Sequence, residues 1–353
     1  MEFLVDVWNY LLQGGFTLNQ PVLQTTQQDA SFFTCITQGG FTQLLQQLVN
    51  GIAKGSIYSL IALGYTMVYG IVELINFAHG DVFMLGSFIS LALLTVLGVT
   101  GIVPGGIVEV VGLLLLMFLL TMLITGTLGV VVERIAYKPL RNAPKLAPLI
   151  SAIGMSFILQ NIGQIWRGPS PVPFPGVFRN QFVRIEWLGG VRLSLKDGFV
   201  ILACLIIMIS LTLFVQRTKM GKAMRATAQD YDTSSIMGIN VNATISLTFF
   251  IGAMLAGAAG LIYGIYFGSV WFVQGYQAGL KAFTSAVLGG IGNIPGAMIG
   301  GLLIGLVEAM SDQYGSCIGL GTQWTNAVVF AVLILILVFR PSGILGQQVP
   351  EKA

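Results

Sequence analysis

The chain has 353 residues, 55% of them hydrophobic and 9% charged, with a formal net charge of +3. Soluble domains carry roughly 25% charged residues, and 17 Lys+Arg with 14 Asp+Glu cannot cover a water-soluble globule of this size. With a mean hydropathy of +0.85, disorder, collagen and a disulfide-knotted secreted fold are excluded, and the chain reads as an all-α polytopic membrane bundle.

Residues 1–40 lack the basic start and small-residue cleavage site of a signal peptide. Phe3–Phe16 is too short to span a bilayer and 19–28 is polar and Gln-rich, so 1–40 reads as an external extension. A bilayer core of about 30 Å needs roughly 20 apolar helical residues. Charge-poor stretches of that scale fall near 48–72, 82–103, 107–132, 149–166, 198–215, 243–268 and 324–339. A further stretch, 279–309, is interrupted at Gly289–Gly296, a run too rich in glycine and proline for continuous helix. The expectation is about eight membrane segments, with a broken or re-entrant helix pair near 279–309, in a domain spanning 41–346. Residues 347–353 form a short tail.

Charge position sets the expected sidedness. Arg134, Lys138, Arg141 and Lys145 crowd one loop, and Arg217, Lys219, Lys222 and Arg225 crowd another. Two spans separate these loops, which places both in the cytoplasm. The intervening segment, about 167–197, has spread-out charge and Pro169, Pro171, Pro173 and Pro175, and reads as an extended outer segment. No Lys or Arg precedes Lys54, which fits an outside N-terminus; the tail after Arg340 is cytoplasmic if 279–309 enters and leaves from one face and outside if it crosses fully, and Arg340 and Lys352 favour the cytoplasm. Cys35 and Cys317 would then share the outer face, a topology compatible with a disulfide.

Catalytic and metal chemistry find no support. Cys35, Cys204 and Cys317 have no metal-ligand spacing, and His79 is the one histidine. The Gly221-Lys222 pair has Gln216 where a phosphate-binding loop needs its first glycine. Small residues recur every four positions at Gly252, Ala256, Gly260, Gly264 and Gly268, at Gly51, Gly55 and Ser59, and at Gly292, Gly296 and Gly300. Such ridges let helix backbones approach closely in lipid. Asn76–Asp81 interrupts the first apolar run; Asn76, His79 and Asp81 fit either a break facing a translocation path or an interfacial turn with Asp81 capping the next helix. Gln160, Asn161 and Gln164 form an uncharged polar patch that suits either a path for a neutral or zwitterionic solute or interhelical hydrogen bonding. Gly292, Asn293 and Pro295 mark the second break. Lys54, Glu109, Lys281 and Glu308 sit near expected helix ends, where snorkelling accounts for them. Gly221–Asp230 and the residues up to Gly238 read as an extramembrane helix of roughly four turns, either a solvated loop helix or a docking element for a motor domain.

Strings along the chain resemble LivH-type permease subunits of bacterial branched-chain amino acid ABC importers. They include Ala62–Gly70, Ile75–Asp81, Glu133–Arg141, Ile150–Ser156, Leu159–Asn161, Met220–Asp230, Gly238–Asn240, Lys281–Thr284, Ala286–Gly292, Ile294–Gly301 and Pro341–Gly346. The resemblance runs from about Phe41 to Gly346; residues 1–40 depart from it. It implies a multi-pass bacterial inner-membrane permease that pairs with a second related permease, two cytoplasmic ABC ATPases and a periplasmic amino-acid-binding protein. On this reading the chain contacts lipid and no nucleic acid, and binds no cofactor, while the partner ATPases use ATP and Mg. Met220–Asn240 is implied as the ATPase coupling loop, with Lys222, Arg225, Ala228, Asp230 and Gly238 in it. Branched-chain and other neutral amino acids are the implied substrates. Urea or short-amide permeases of the same family are the alternative, and a gradient-driven carrier or channel is the alternative from another class.

Overall fold

In the computed structural model the chain divides into units 1–40 and 41–353. The described residues run from 40 to 346, without 73, 100, 102–106, 142, 145, 179–181 and 186–189. The expected extension at 1–39, Cys35 with it, and the tail at 347–353 lie outside the described residues.

The helices, in order, are α1 Gly40–Val72, α2 His79–Val96, α3 Ile107–Val132, α4 Leu146–Arg167, α5 Leu195–Arg217, α6 Lys219–Gln229, α7 Tyr231–Ile236, α8 Val241–Phe267, α9 Gln274–Gly289, α10 Ile294–Tyr314 and α11 Thr325–Phe339. Eight of these described helices, all but α6, α7 and α9, are long and apolar enough to cross a membrane. Strand β1 Val172–Pro173 pairs antiparallel with β4 Ser269–Val270, and β2 Phe182–Ile185 with β3 Val191–Ser194. The proline-rich segment is therefore pinned by short ladders rather than simply extended.

Three helices form the interior: the apolar windows of α1, α2 and α8 are 72–78% buried, against 11–28% for α3, α4, α5 and α11. Glycine makes that interior possible, because apolar lipid offers no drive for helices to associate. A Cβ on Gly55 would lie 2.8 Å from Leu302 Cα, and one on Gly86 2.8 Å from Gly257 Cα. Polar side chains fasten the same seams: Ser59 donates to the Met298 carbonyl at 2.7 Å, and Ser87 to the Gly260 carbonyl at 3.0 Å.

The interrupted segment is an antiparallel pair. Helices α9 and α10 face each other through Ser285 against Gly300 and Gly289 against Gly296. The second half of α10 meets the first half of α1, and Gly292 in the turn before α10 meets Gly70 near the end of α1. The pair thus enters and leaves at one end, and the chain after α11 returns to the other. There Ile344 donates to the Leu288 carbonyl at 2.9 Å. The first basic loop lies at this same end, since Arg141 donates to Asn242 at the start of α8 at 2.6 Å.

Two expectations are corrected here. Snorkelling does not describe Lys54, Lys281 and Glu308. Lys281 lies 2.9 Å from Glu308, Lys54 lies 2.7 Å from Asp312 and 3.6 Å from Glu308, and the Tyr58 hydroxyl donates to Glu308 at 2.9 Å. Antiparallel folding of α9 on α10 sets these groups face to face between helices, where a charge is held by a partner instead of by reaching water. Glu109, by contrast, is exposed in the first turn of α3. Nor is 221–238 one helix of four turns: Asp230 is extended (φ −154°, ψ 113°) and separates α6 from α7.

Candidate functional site

After α1 the chain folds back into the bundle before α2 begins. The turn is closed by the His79 amide donating to the Asn76 carbonyl at 3.1 Å. His79 packs where only a glycine leaves room, against Gly64 in the middle of α1, with its ring edge-on to Tyr65 at 4.7 Å. Asn76 accepts from the Tyr137 hydroxyl at 2.9 Å. Asp81 does not cap α2. The cap position is Ala78, with no side-chain bond, and Asp81 lies in the first turn, where its Oδ2 accepts from Ser156 of α4. All three side chains of this break are buried.

The second break is built by backbone conformations that favour glycine. Gly290 and Gly292 have φ of +104° and +89°. Asn293 then caps α10, its Oδ1 accepting from the Gly296 amide at 3.1 Å, and its side-chain Nδ2 donates to the Leu345 carbonyl at 2.7 Å. Pro295 occupies the first turn of α10, where a missing N–H costs nothing. The two breaks converge: Ile75 from one and Ile291 from the other line a narrow apolar cleft with Tyr65, Tyr69, Phe283 and Ala286. Phe77 contacts Phe283 at 6.1 Å beside it. The α4 patch stays apart from this cleft. Gln160 and Gln164 are half-buried, and the exposed Asn161 donates to the Phe157 carbonyl at 2.7 Å.

At the end carrying the basic loops, α6 and α7 lie outside the spans. Thr218 caps α6, accepting from the Gly221 amide at 3.0 Å. Gly221, Met224 and Thr227 are buried, while Lys222, Arg225 and Ala228 are exposed. Arg225 nonetheless donates to the Val215 carbonyl, tying α6 to the end of α5. Asp230 caps α7, accepting from the Thr233 amide at 3.0 Å, and Gly238 closes it with φ of +83°. Ile236 and Met237, 85% and 77% exposed, project from this pair together with Met220 and Tyr231. Exposed apolar side chains on helices outside the spans are candidates for a contact surface.

One network escaped the sequence. Glu133, fully buried in a π-helical turn at Glu133–Tyr137, pairs with Arg141 and accepts from Ser246 of α8 at 2.9 Å. The eight-residue spacing from Glu133 to Arg141 is not a helical neighbour spacing, and the π-helical turn and the 3₁₀ turn at Lys138–Leu140 lie between the two.

Comparison with known proteins adds the following. The family described as branched-chain amino acid transport system / permease component matches residues 47–337. The LivH high-affinity branched-chain amino acid transport permease of Escherichia coli K12 is 43% identical over 318 residues, covering 88% of this chain and 98% of its own. The BraD permease of Pseudomonas aeruginosa is 45% identical over 311 residues, covering 87% and 97%. A probable LivH of Methanocaldococcus jannaschii is 27% identical over 312 residues, covering 85% and 91%. No solved structure matches.

Proposed function

Because this chain belongs to the branched-chain amino acid transport permease family, we propose that it is the membrane-spanning permease subunit of an ATP-driven importer of branched-chain and other neutral amino acids. The observation that carries this reading is identity of 43–45% to such permeases across nearly their whole length. The chain itself hydrolyses nothing; ATP and Mg are used by two ABC ATPases on the cytoplasmic face. A second related permease and a periplasmic amino-acid-binding protein complete the importer. Positive residues at 134–145 and 217–225 favour the cytoplasm for that end, which puts the start of α1 and the β pairs toward the outer face.

Movement of an ATPase would enter through the surface formed by Met220, Tyr231, Ile236 and Met237. From there it passes through the Arg225–Val215 bond to α5 and through the short linker to α8. The breaks at Asn76–Asp81 and Gly290–Pro295 are where bundle helices are already discontinuous, and alternating access is assigned to them. The polar patch Gln160, Asn161 and Gln164 lies on the more exposed α4, open to the second permease.

The test is uptake by proteoliposomes carrying the complex purified from native membranes. Labelled leucine should accumulate only with ATP. Entry of urea without leucine overturns the substrate, and leucine uptake with ATPase-inactive partners overturns the ATP-driven class. Replacing Arg225 and Asp230 together should leave hydrolysis running while uptake falls; unchanged coupling would remove the docking role from this loop.

A further inference from the structure

Among the described residues four carboxylates are buried: Asp81, Glu133, Asp197 and Glu308. Glu133 faces Arg141, Glu308 faces Lys281 and Lys54, and Asp197 accepts from the Ser194 amide at 3.2 Å. Asp81 differs. It is 1% exposed, Ser156 donates to Oδ2, and Oδ1 has no partner. That free oxygen is aimed at the start of α9: a Cβ on Gly275 would lie 2.8 Å from it. The neighbouring residue, Gln274, is 4% exposed and also half-used. Its Oε1 accepts from the Trp271 amide at 3.0 Å, which orients the carboxamide and leaves Nε2 without an acceptor. One buried acceptor and one buried donor thus flank Gly275, and each carries the cost of an unmade bond.

We infer that Asp81 and Gln274 form the head-group site for an α-amino acid in transit: Asp81 Oδ1 accepts from the ammonium group, and Gln274 Nε2 donates to the carboxylate. A zwitterion needs one acceptor for its ammonium group and one donor for its carboxylate, and these two unused groups supply one of each. The seam over the site is closed in this conformation. Its backbone contact is Gly80 against Gly275 and Gly279, with the side chains of Asp81, Met84 and Tyr65 bordering it, so few side chains interlock where α2 and α9 would separate. Tyr65 touches both this seam and the apolar cleft of Ile75, Phe283 and Ile291, which places a branched aliphatic side chain on the cleft side.

This assignment rests on the importer reading above, and the test separates the two. In proteoliposomes of the full complex, Asp81→Asn and Gln274→Glu are near-isosteric, while Ser156→Ala removes only the structural hydrogen bond. Expected is a tenfold or greater loss of leucine uptake in the first two, with ATP hydrolysis still stimulated by the loaded binding protein, and uptake within twofold of the parent in Ser156→Ala. The assignment is overturned if both isosteric variants transport within twofold of the parent, if Ser156→Ala falls in step with them, or if neither assembles and both groups are therefore structural. A parent complex that does not take up leucine with ATP would instead overturn the importer reading.

Discussion

At the scale of single residues, what an added methyl would strike decides the outcome. A Cβ on Gly260 would lie 2.6 Å from both the Phe83 carbonyl oxygen and the Ser87 amide nitrogen, and backbone cannot step aside. Gly260→Ala should cost about 1–3 kcal/mol, read as a lower melting temperature in detergent. Gly154→Ala, with nothing within 4 Å, should hold or slightly raise it; equal shifts in both variants would contradict the close packing. The small-residue ridge at Gly252–Gly268 was legible because its four-residue period is a helical period. The ion cluster was not legible. Lys281 and Glu308 lie 27 positions apart, and their meeting depends on how two helices fold against each other. Glu308→Leu should destabilise by about 3–5 kcal/mol, since it strands Lys281 with its partner gone. Adding Lys281→Met should recover much of that loss while Lys54 keeps Asp312 at 2.7 Å. A double variant as unstable as the single would place the damage in packing rather than in charge.

At the scale of elements, spans were legible to within a few residues wherever hydropathy alone sets them, as for α5 and α8. Ends set by other forces were displaced. Helix α1 already includes residues ahead of its apolar run, where Gln46 is held by the β3 backbone, donating to the Arg192 carbonyl at 3.0 Å and accepting from its amide at 2.8 Å. The split of α6 from α7 follows from Asp230, whose side chain offers the backbone an alternative to helix. Thr218→Ala should destabilise α6 by about 1 kcal/mol, seen as faster amide exchange across 219–229 with the spans unchanged. Met237→Ser together with Ile236→Ser should leave the melting temperature in place and weaken ATPase co-purification several-fold. Undiminished co-purification would take the docking surface away from these two side chains.

At the scale of the whole molecule, the same-end arrangement of both basic loops, the turn after α9 and the residues after α11 predicts a labelling pattern. A cysteine at Lys222 should react with an impermeant maleimide only from the cytoplasmic side, and one at Ser170 only from the outer side. Among the described residues Cys204 adds little native background, because it is buried. Reaction of both from one side would overturn the topology. Composition and period were enough to establish a helical membrane bundle, its count of spans, its glycine seams and its family strings, because these depend on each segment's own chemistry against lipid. They were not enough to show which buried charges meet, that the breaks at 76–81 and 290–295 share one cleft, or that Asp81 and Gln274 keep an unused bond beside Gly275. Those facts depend on which helix lies against which. In lipid that choice is made by close backbone contact and a few hydrogen bonds between segments far apart in the chain.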